Sequence, residues 1–330
     1  MQFFKAVVAV VLFTVICCEA ALAAETAVPG ERALAERYAA IRSKLEKNQF
    51  GAPIYLESKE GDDSVRVDMY GVFRFPFEAV RDALRSPAAW CEITPLHINI
   101  KACTYKTGKG HDEVTMYSGR KYYQPPSDAY PLKLAFHVAS ADSRYLKLDL
   151  RAEEGPLGTK DHHIRVEAVP LEGEVTFLHF GYTYHFGTMA RIAIKTYFAT
   201  VGREKEGFTL VGEDGKQTYI QGPRGAVERN TMRYYLALQA YLETLKYPEK
   251  DRFEQRISRW FDLTSKYPRQ LKEMDKPAYL KEKRLERENQ EELQARQGKK
   301  GTSSAPLPAG VSQSQVPGGV AAGMTGKGEL

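Results

Sequence analysis

The side chains in this sequence that could do chemistry are scattered histidines, a run of tyrosines, and two arginines one helical turn apart. Of the seven histidines, His162 and His163 are adjacent in an alternating run. They leave a strand on opposite faces and cannot simply share a metal. His162 falls on the apolar side of the alternation and reads as inward-pointing. It is then either a hydrogen-bonded core histidine or one that contacts a ligand or moves a proton. His179 and His185 share the other face of their strand with Gly181 and Thr183, a face that reads as solvent-facing. No zinc site is expected from them. The sequence has no G-x-S-x-G, no H-E-x-x-H, no P-loop and no G-x-G-x-x-G. No catalytic residue, metal or cofactor is therefore assigned.

Phe180, Tyr182 and Tyr184 alternate along one strand. Tyr234, Leu238 and Tyr241 recur on one face of a helix. Two readings fit both sets. Aromatics suit strand and helix packing, and phenols also line cavities, where a hydroxyl orients an apolar ligand. Arg229 and Arg233 stand four apart, so two like charges share a helix face. Glu228 can pair with Arg224 but leaves the other two. They are met either by acidic partners and water, or by the phosphate or carboxylate headgroup of a ligand.

The elements that must position these groups begin with YGVFRFPFEAVRDALRSPAAWCEITPLHINIKACTY, residues 70–105. Val65, Val67, Met69, Gly71 and Phe73 alternate as a strand does. Pro76 opens a short helix with Phe77, Val80 and Leu84 on one face. Ser86-Pro87 ends it, Trp90 anchors a second short helix, and Ile98, Ile100 and Ala102 resume the alternation. This strand, pair of short helices and return strand resemble the opening of the helix-grip fold. That fold belongs to the START-like (SRPBCC) superfamily of lipid-transfer domains, pollen-allergen-type proteins and polyketide cyclases. The resemblance covers about 65–245. It implies an α+β domain with a curved antiparallel sheet, a long C-terminal helix and an internal cavity. It also implies non-catalytic binding or transport of a hydrophobic small molecule: a lipid, terpenoid, fatty acid or quinone. Two alternatives stay open. One is a polyketide-cyclase-like enzyme using His162 or the tyrosines. The other is an interaction module with a filled cavity, whose charged stretch 272–297 docks a partner.

Around that core, Leu34, Tyr38, Ile41 and Leu45 predict a helix, and Ile54-Tyr55-Leu56 an edge strand. Runs at 114–118, 132–138, 146–150, 162–168 and 178–186 alternate cleanly, as antiparallel strands with one buried face do. A helix is expected over 188–201, then a hairpin over 208–220 with Asp214-Gly215 at its tip. The long helix is expected over 225–245, its stripe running through Val227, Thr231, Tyr234, Leu238, Tyr241 and Leu245. A shorter helix over 252–266 carries Phe253, Ile257 and Phe261. Residues 272–297 are heavily charged and read as a solvated helix or partly disordered. The Gly-, Ala-, Ser- and Pro-rich tail is flexible. The boundaries follow as 1–24, 25–64, 65–246, 247–297 and 298–330.

A formal net charge of +5 over 330 residues is too mild for a nucleic-acid partner. Lys5, the apolar run Ala6 to Cys18 and Ala21-Leu22-Ala23-Ala24 read as a cleaved signal peptide. A periplasmic or secreted protein is expected, with no integral membrane segment after cleavage and a transient membrane or protein partner left open. A lipoprotein anchor at Cys17 or Cys18 is the rival reading, disfavoured because Ile16 is bulkier than the small residue that usually precedes a lipidated cysteine. Cys91 and Cys103 then remain, and an oxidising compartment favours a structural disulfide between them. It would close a short loop and contribute roughly 2–3 kcal/mol.

Overall fold

The alternating runs become one sheet of eight antiparallel strands. A computed structural model describes residues 28–108, 111–187, 205–213 and 216–302. The expected signal peptide, the helix over 188–201, the hairpin tip at 214–215 and the tail from 303 lie outside the described residues. The strands are β1 (Ile54–Glu60), β2 (Ser64–Phe73), β3 (Ile100–Lys106), β4 (Asp112–Ser118), β5 (Tyr130–Ala141), β6 (Leu146–Glu154), β7 (Thr159–Leu171) and β8 (Val175–Phe186). Their order is β1-β2-β8-β7-β6-β5-β4-β3, every neighbouring pair antiparallel. The meander β3 to β8 thus returns to pair with β2, with Met69 opposite Phe180 and Val67 opposite Tyr182.

The α-helices of the described residues are α1 (Pro29–Glu46), α2 (Phe77–Leu84), α3 (Pro87–Ile93), α4 (Gly222–Thr244), α5 (Glu249–Thr264), α6 (Pro268–Leu271) and α7 (Lys276–Thr302). A two-residue hairpin ladder, β9 (Leu210–Val211) with β10 (Thr218–Tyr219), precedes α4. Two short helices after the first long strand and a long helix laid on the sheet make this an α+β helix-grip fold. The Trp90 indole N–H donates to the Leu84 carbonyl at 2.8 Å and fixes α3 on α2. Cys91 on α3 and Cys103 on β3 form a disulfide.

The inner face of the sheet packs Met69, Leu148, Val166 and Phe180 against Leu236, Ala237 and Ala240 of α4 in one core. Gly71 is what lets the helix settle. A Cβ there would lie 1.9 Å from the Tyr235 hydroxyl oxygen.

Three expectations need correction. The outer face of β8 is closed to solvent over Phe177, His179 and Gly181, while the His185 side chain stays 37% exposed. α1 lies across that face, burying Leu34, Ile41 and Leu45 against Tyr70, Tyr145, Val169 and Phe177. Each aliphatic side chain so covered contributes about 1.5–3 kcal/mol. His179 is therefore buried, 2.8 Å from Asp68 Oδ1 and 3.1 Å from Glu167 Oε2, with its ring stacked on Tyr70. Next, α4 is not striped but buried on most sides, because α5 covers its back. The Trp260 indole N–H donates to the Arg233 carbonyl at 3.0 Å.

Finally, α7 is ordered and docked. Tyr279, Lys283, Glu286 and Gln290 are buried along one side of it. Gln290 accepts from the Cys103 N–H at 2.8 Å and donates to the Cys91 carbonyl at 2.9 Å. Gln294 accepts from the Tyr105 N–H at 2.9 Å and donates to the Tyr105 carbonyl at 3.0 Å. The glutamines satisfy the free edge of β3 as a ninth strand would. Beside them, Lys101 and Lys283 share Glu286 in a buried cluster. No helix of the described residues is long and apolar enough to cross a membrane.

Candidate functional site

The site sits at one end of the sheet, where β7 and β8 meet the first turns of α4. The β7–β8 register shifts between Lys160 and His163. Such a bulge re-aims a side chain, and His162 there points inward and is buried. Gly155 makes room for it, since a Cβ at that position would lie 1.9 Å from His162 Nε2. His162 Nδ1 lies 2.8 Å from the Tyr182 hydroxyl and Nε2 lies 2.9 Å from Thr159 Oγ1. Its ring stacks on Tyr184 with centroids 5.3 Å apart. Burial pushes its pKa down to about 4, so the ring is neutral at pH 7. Burial likewise pushes the phenols of Tyr182, Tyr184 and Tyr234 up, keeping their protons on.

The opposite wall comes from α4. Pro223, Ala226, Asn230, Arg233 and Tyr234 recur at helical spacing and face the same space. Tyr234 stacks between His97, 4.6 Å away, and Phe180, 6.3 Å away. His97 is fully buried. Burial, with the charges of Arg233, Lys283 and Lys101, holds its pKa well below the ordinary value. Arg229 donates to the Glu206 carbonyl at 3.0 Å. Arg233 meets Glu273, and Lys121 reaches the same carboxylate. Pro156 and Leu157 stand at the rim, with Leu157 56% exposed.

These walls enclose about 180 Å³. That is below the roughly 300–1,000 Å³ of drug-sized sites. As it stands, the cavity takes a compact molecule or one end of a longer one. Among the described residues three larger depressions exist, including one of about 390 Å³ beside Cys91 and Cys103. The other two, of about 370 Å³ and about 790 Å³, lie beside Trp260 and Tyr279 and along β4–β6. All three are more open. The smaller cavity is where buried titratable groups converge, which is the better mark of a site.

His162, Tyr182, Tyr184, Tyr234, Arg229 and Arg233 all line this cavity. Phe180 supports it from behind through Tyr234, and Leu238 is buried in the main core. Tyr241 is elsewhere. It lines a separate depression beside Cys91 and Cys103, with the Arg256 guanidinium over its ring at 4.6 Å. The sequence reading missed His97, Lys121, Thr159, Asn230 and Glu273. Asn230 between the two arginines and Thr159 three residues before His162 were legible as neighbours. Lys121 and Glu273 reach the site from loops and carried no periodic signal. Among the described residues, no group of three or more His, Cys, Asp or Glu is placed to hold a metal ion.

No family model matches the chain and no curated protein matches it. Several solved structures are similar. Human StAR-related lipid transfer protein 5 shares 13% identity over 66% of this chain and 96% of that one, with a TM-score of 0.32. The Zhui aromatase/cyclase from Streptomyces sp. R1128 shares 12% over 54% and 91%, with a TM-score of 0.33. Norcoclaurine synthase from Thalictrum flavum shares 12% over 44% and 78%, with a TM-score of 0.30. These likenesses carry no function to this chain, and its helix-grip architecture rests on its own strand order and helices.

Proposed function

We propose that this protein binds, without transforming it, a hydrophobic small molecule bearing an acidic headgroup. The observation that carries this reading is the division of one cavity into two walls. Tyr182, Tyr184 and Tyr234 offer flat apolar faces with hydroxyls, and Arg229, Arg233 and Lys121 bring positive charge. Each methylene buried against the aromatic wall contributes about 0.8 kcal/mol. A charged headgroup adds orientation through charge-assisted hydrogen bonds. The Cys91–Cys103 bridge supports an oxidising compartment, in keeping with export.

The test is a titration with 1-anilinonaphthalene-8-sulfonate, an aromatic anion that fluoresces when desolvated. Ala226 lines the cavity, and Ala226→Trp fills it. Saturable binding at one site, lost in Ala226→Trp, is the expected result. Non-saturating fluorescence that is equal in both proteins would exclude the reading.

The His162–Tyr182 pair favours a second reading, acid–base catalysis of the polyketide-cyclase type on a substrate held in the same cavity. A carrier releases its ligand chemically unchanged, so the mass of the ligand after incubation separates the two.

A further inference from the structure

Three cations converge on one carboxylate at the polar end of the cavity. Lys121 Nζ and Lys205 Nζ each lie 2.9 Å from Glu273 Oε2, and Arg233 Nη2 lies 3.1 Å from Glu273 Oε1. The Lys121, Arg233 and Glu273 side chains are only 9%, 2% and 8% exposed. Burial would raise the Glu273 pKa, but Arg233, Lys121 and Lys205 hold it below the usual range. Among the described residues lining the cavity, Glu273 is the only acid. Buried like charges without enough counter-charge are unfavourable. The cluster therefore has room for more negative charge than Glu273 supplies.

Two orphaned donors point the same way. Arg233 Nε is buried and makes no hydrogen bond with a described residue. His97 Nδ1 accepts from the Asn99 N–H at 3.0 Å, so the proton of the neutral ring sits on Nε2. That Nε2 is buried beside Asn230 without a well-aligned hydrogen bond, while Asn230 Oδ1 accepts from Arg233 Nη1 at 3.3 Å. Buried donors are normally satisfied, and both of these residues line the cavity. Glu273 itself lies in the short link 272–275 between α6 and α7, where no helix or strand fixes it. This link also lines the 370 Å³ depression next to Trp260.

We infer that Lys121, Lys205, Arg233 and His97 form an anion site in which Glu273 is an internal stand-in for the ligand's carboxylate or phosphate. The ligand enters headgroup-first and displaces Glu273, swinging the 272–275 link outward. This inference rests on the binding reading above and names the group that the site recognises.

The test compares octanoate, octan-1-ol and inorganic phosphate by calorimetry on the wild-type protein, Glu273→Gln and Lys121→Met. Glu273→Gln removes the competitor, so octanoate and phosphate should bind at least tenfold more tightly while octanol stays within twofold. Lys121→Met should weaken octanoate about tenfold and spare octanol. If Glu273→Gln leaves three uncompensated cations and does not fold, the octanoate-to-octanol ratio in Lys121→Met decides. Octanol binding with octanoate and phosphate indifferent to both substitutions would overturn the inference and leave the binding reading standing. Phosphate binding to Glu273→Gln without octanol binding would uphold the anion site and remove the apolar reading. Binding of none of the three would remove both.

Discussion

The Tyr182 hydroxyl donates to His162 Nδ1 across β7 and β8, at 2.8 Å. The direction is fixed by the far side of the ring. Thr159 Oγ1 donates to the Pro156 carbonyl at 2.6 Å, so it can only accept from His162 Nε2–H. The imidazole is thus a neutral Nε2–H tautomer, and the lone pairs of the Tyr182 oxygen remain for a ligand.

This pair makes stability pH-dependent with a definite sign. A histidine held at about pKa 4 in the folded state titrates near 6.5 when unfolded. Between those values the unfolded chain binds the extra proton. The contribution is fully present above about pH 6.5 and is lost as pH falls towards 4, by about 3 kcal/mol. His97, also depressed, acts in the same direction. His179 is raised, against the pull of burial, by Asp68 and Glu167, so its contribution is lost only as pH rises through its folded pKa. Asp68, lowered to about 2, loses its contribution below the carboxylate range. Urea unfolding at pH 7 and pH 4.5 should show a smaller loss for His162→Gln than for wild type. Equal losses would contradict the assignment.

Gly155→Ala should disturb the same pair. The new methyl would meet His162 Nε2 and, at 2.7 Å, Thr159 Oγ1. A destabilisation of about 1–3 kcal/mol is expected. In a double-mutant cycle, His162→Ala should relieve most of it. Additive effects would place the clash elsewhere.

What was legible in the sequence follows from range. The inner faces of β2, β7 and β8 are continuously apolar against more polar neighbours, so period-2 alternation read them and placed His162, Tyr182 and Tyr184 inward. The cover over His179 was not legible, because α1 arrives from residues far earlier in the chain and the polar pattern of β8 is the same with or without it. Tyr241 was assigned to the cavity because it shares a stripe with Tyr234. Seven residues of helix carry it about 10 Å along the axis, however, and the stripe outruns the cavity. The docked face of α7 escaped because the residues meeting β3 are polar. Glutamines serving a strand edge look like any solvated helix face.

The glutamine edge cap should matter for both stability and solubility. Gln290→Leu leaves the buried Cys103 N–H unpaired, a loss of about 1–3 kcal/mol. Ending the chain at Asp275 removes α7 and bares the edge of β3, which then templates pairing with another copy. Size-exclusion chromatography should show the shortened chain self-associating. A well-behaved monomer of unchanged melting temperature would show that α7 does not protect the edge.

The Cys91–Cys103 bridge ties α3 to β3 across a sequence separation of 12. Replacing both with serine should lower stability by roughly 2–3 kcal/mol. The ligand-binding end should be spared, because the bridge lies by Tyr241 rather than by Tyr234. Denaturant midpoints, together with 1-anilinonaphthalene-8-sulfonate titration of the same variant, check both halves.

Native mass spectrometry of the protein purified from an exporting host, with solvent extraction of whatever it retains, tests the central claim most directly. A stoichiometric, chemically unaltered amphipathic acid, absent from Ala226→Trp, is the predicted result. A protein that is empty as purified, and still empty after incubation with a total lipid extract, would contradict it.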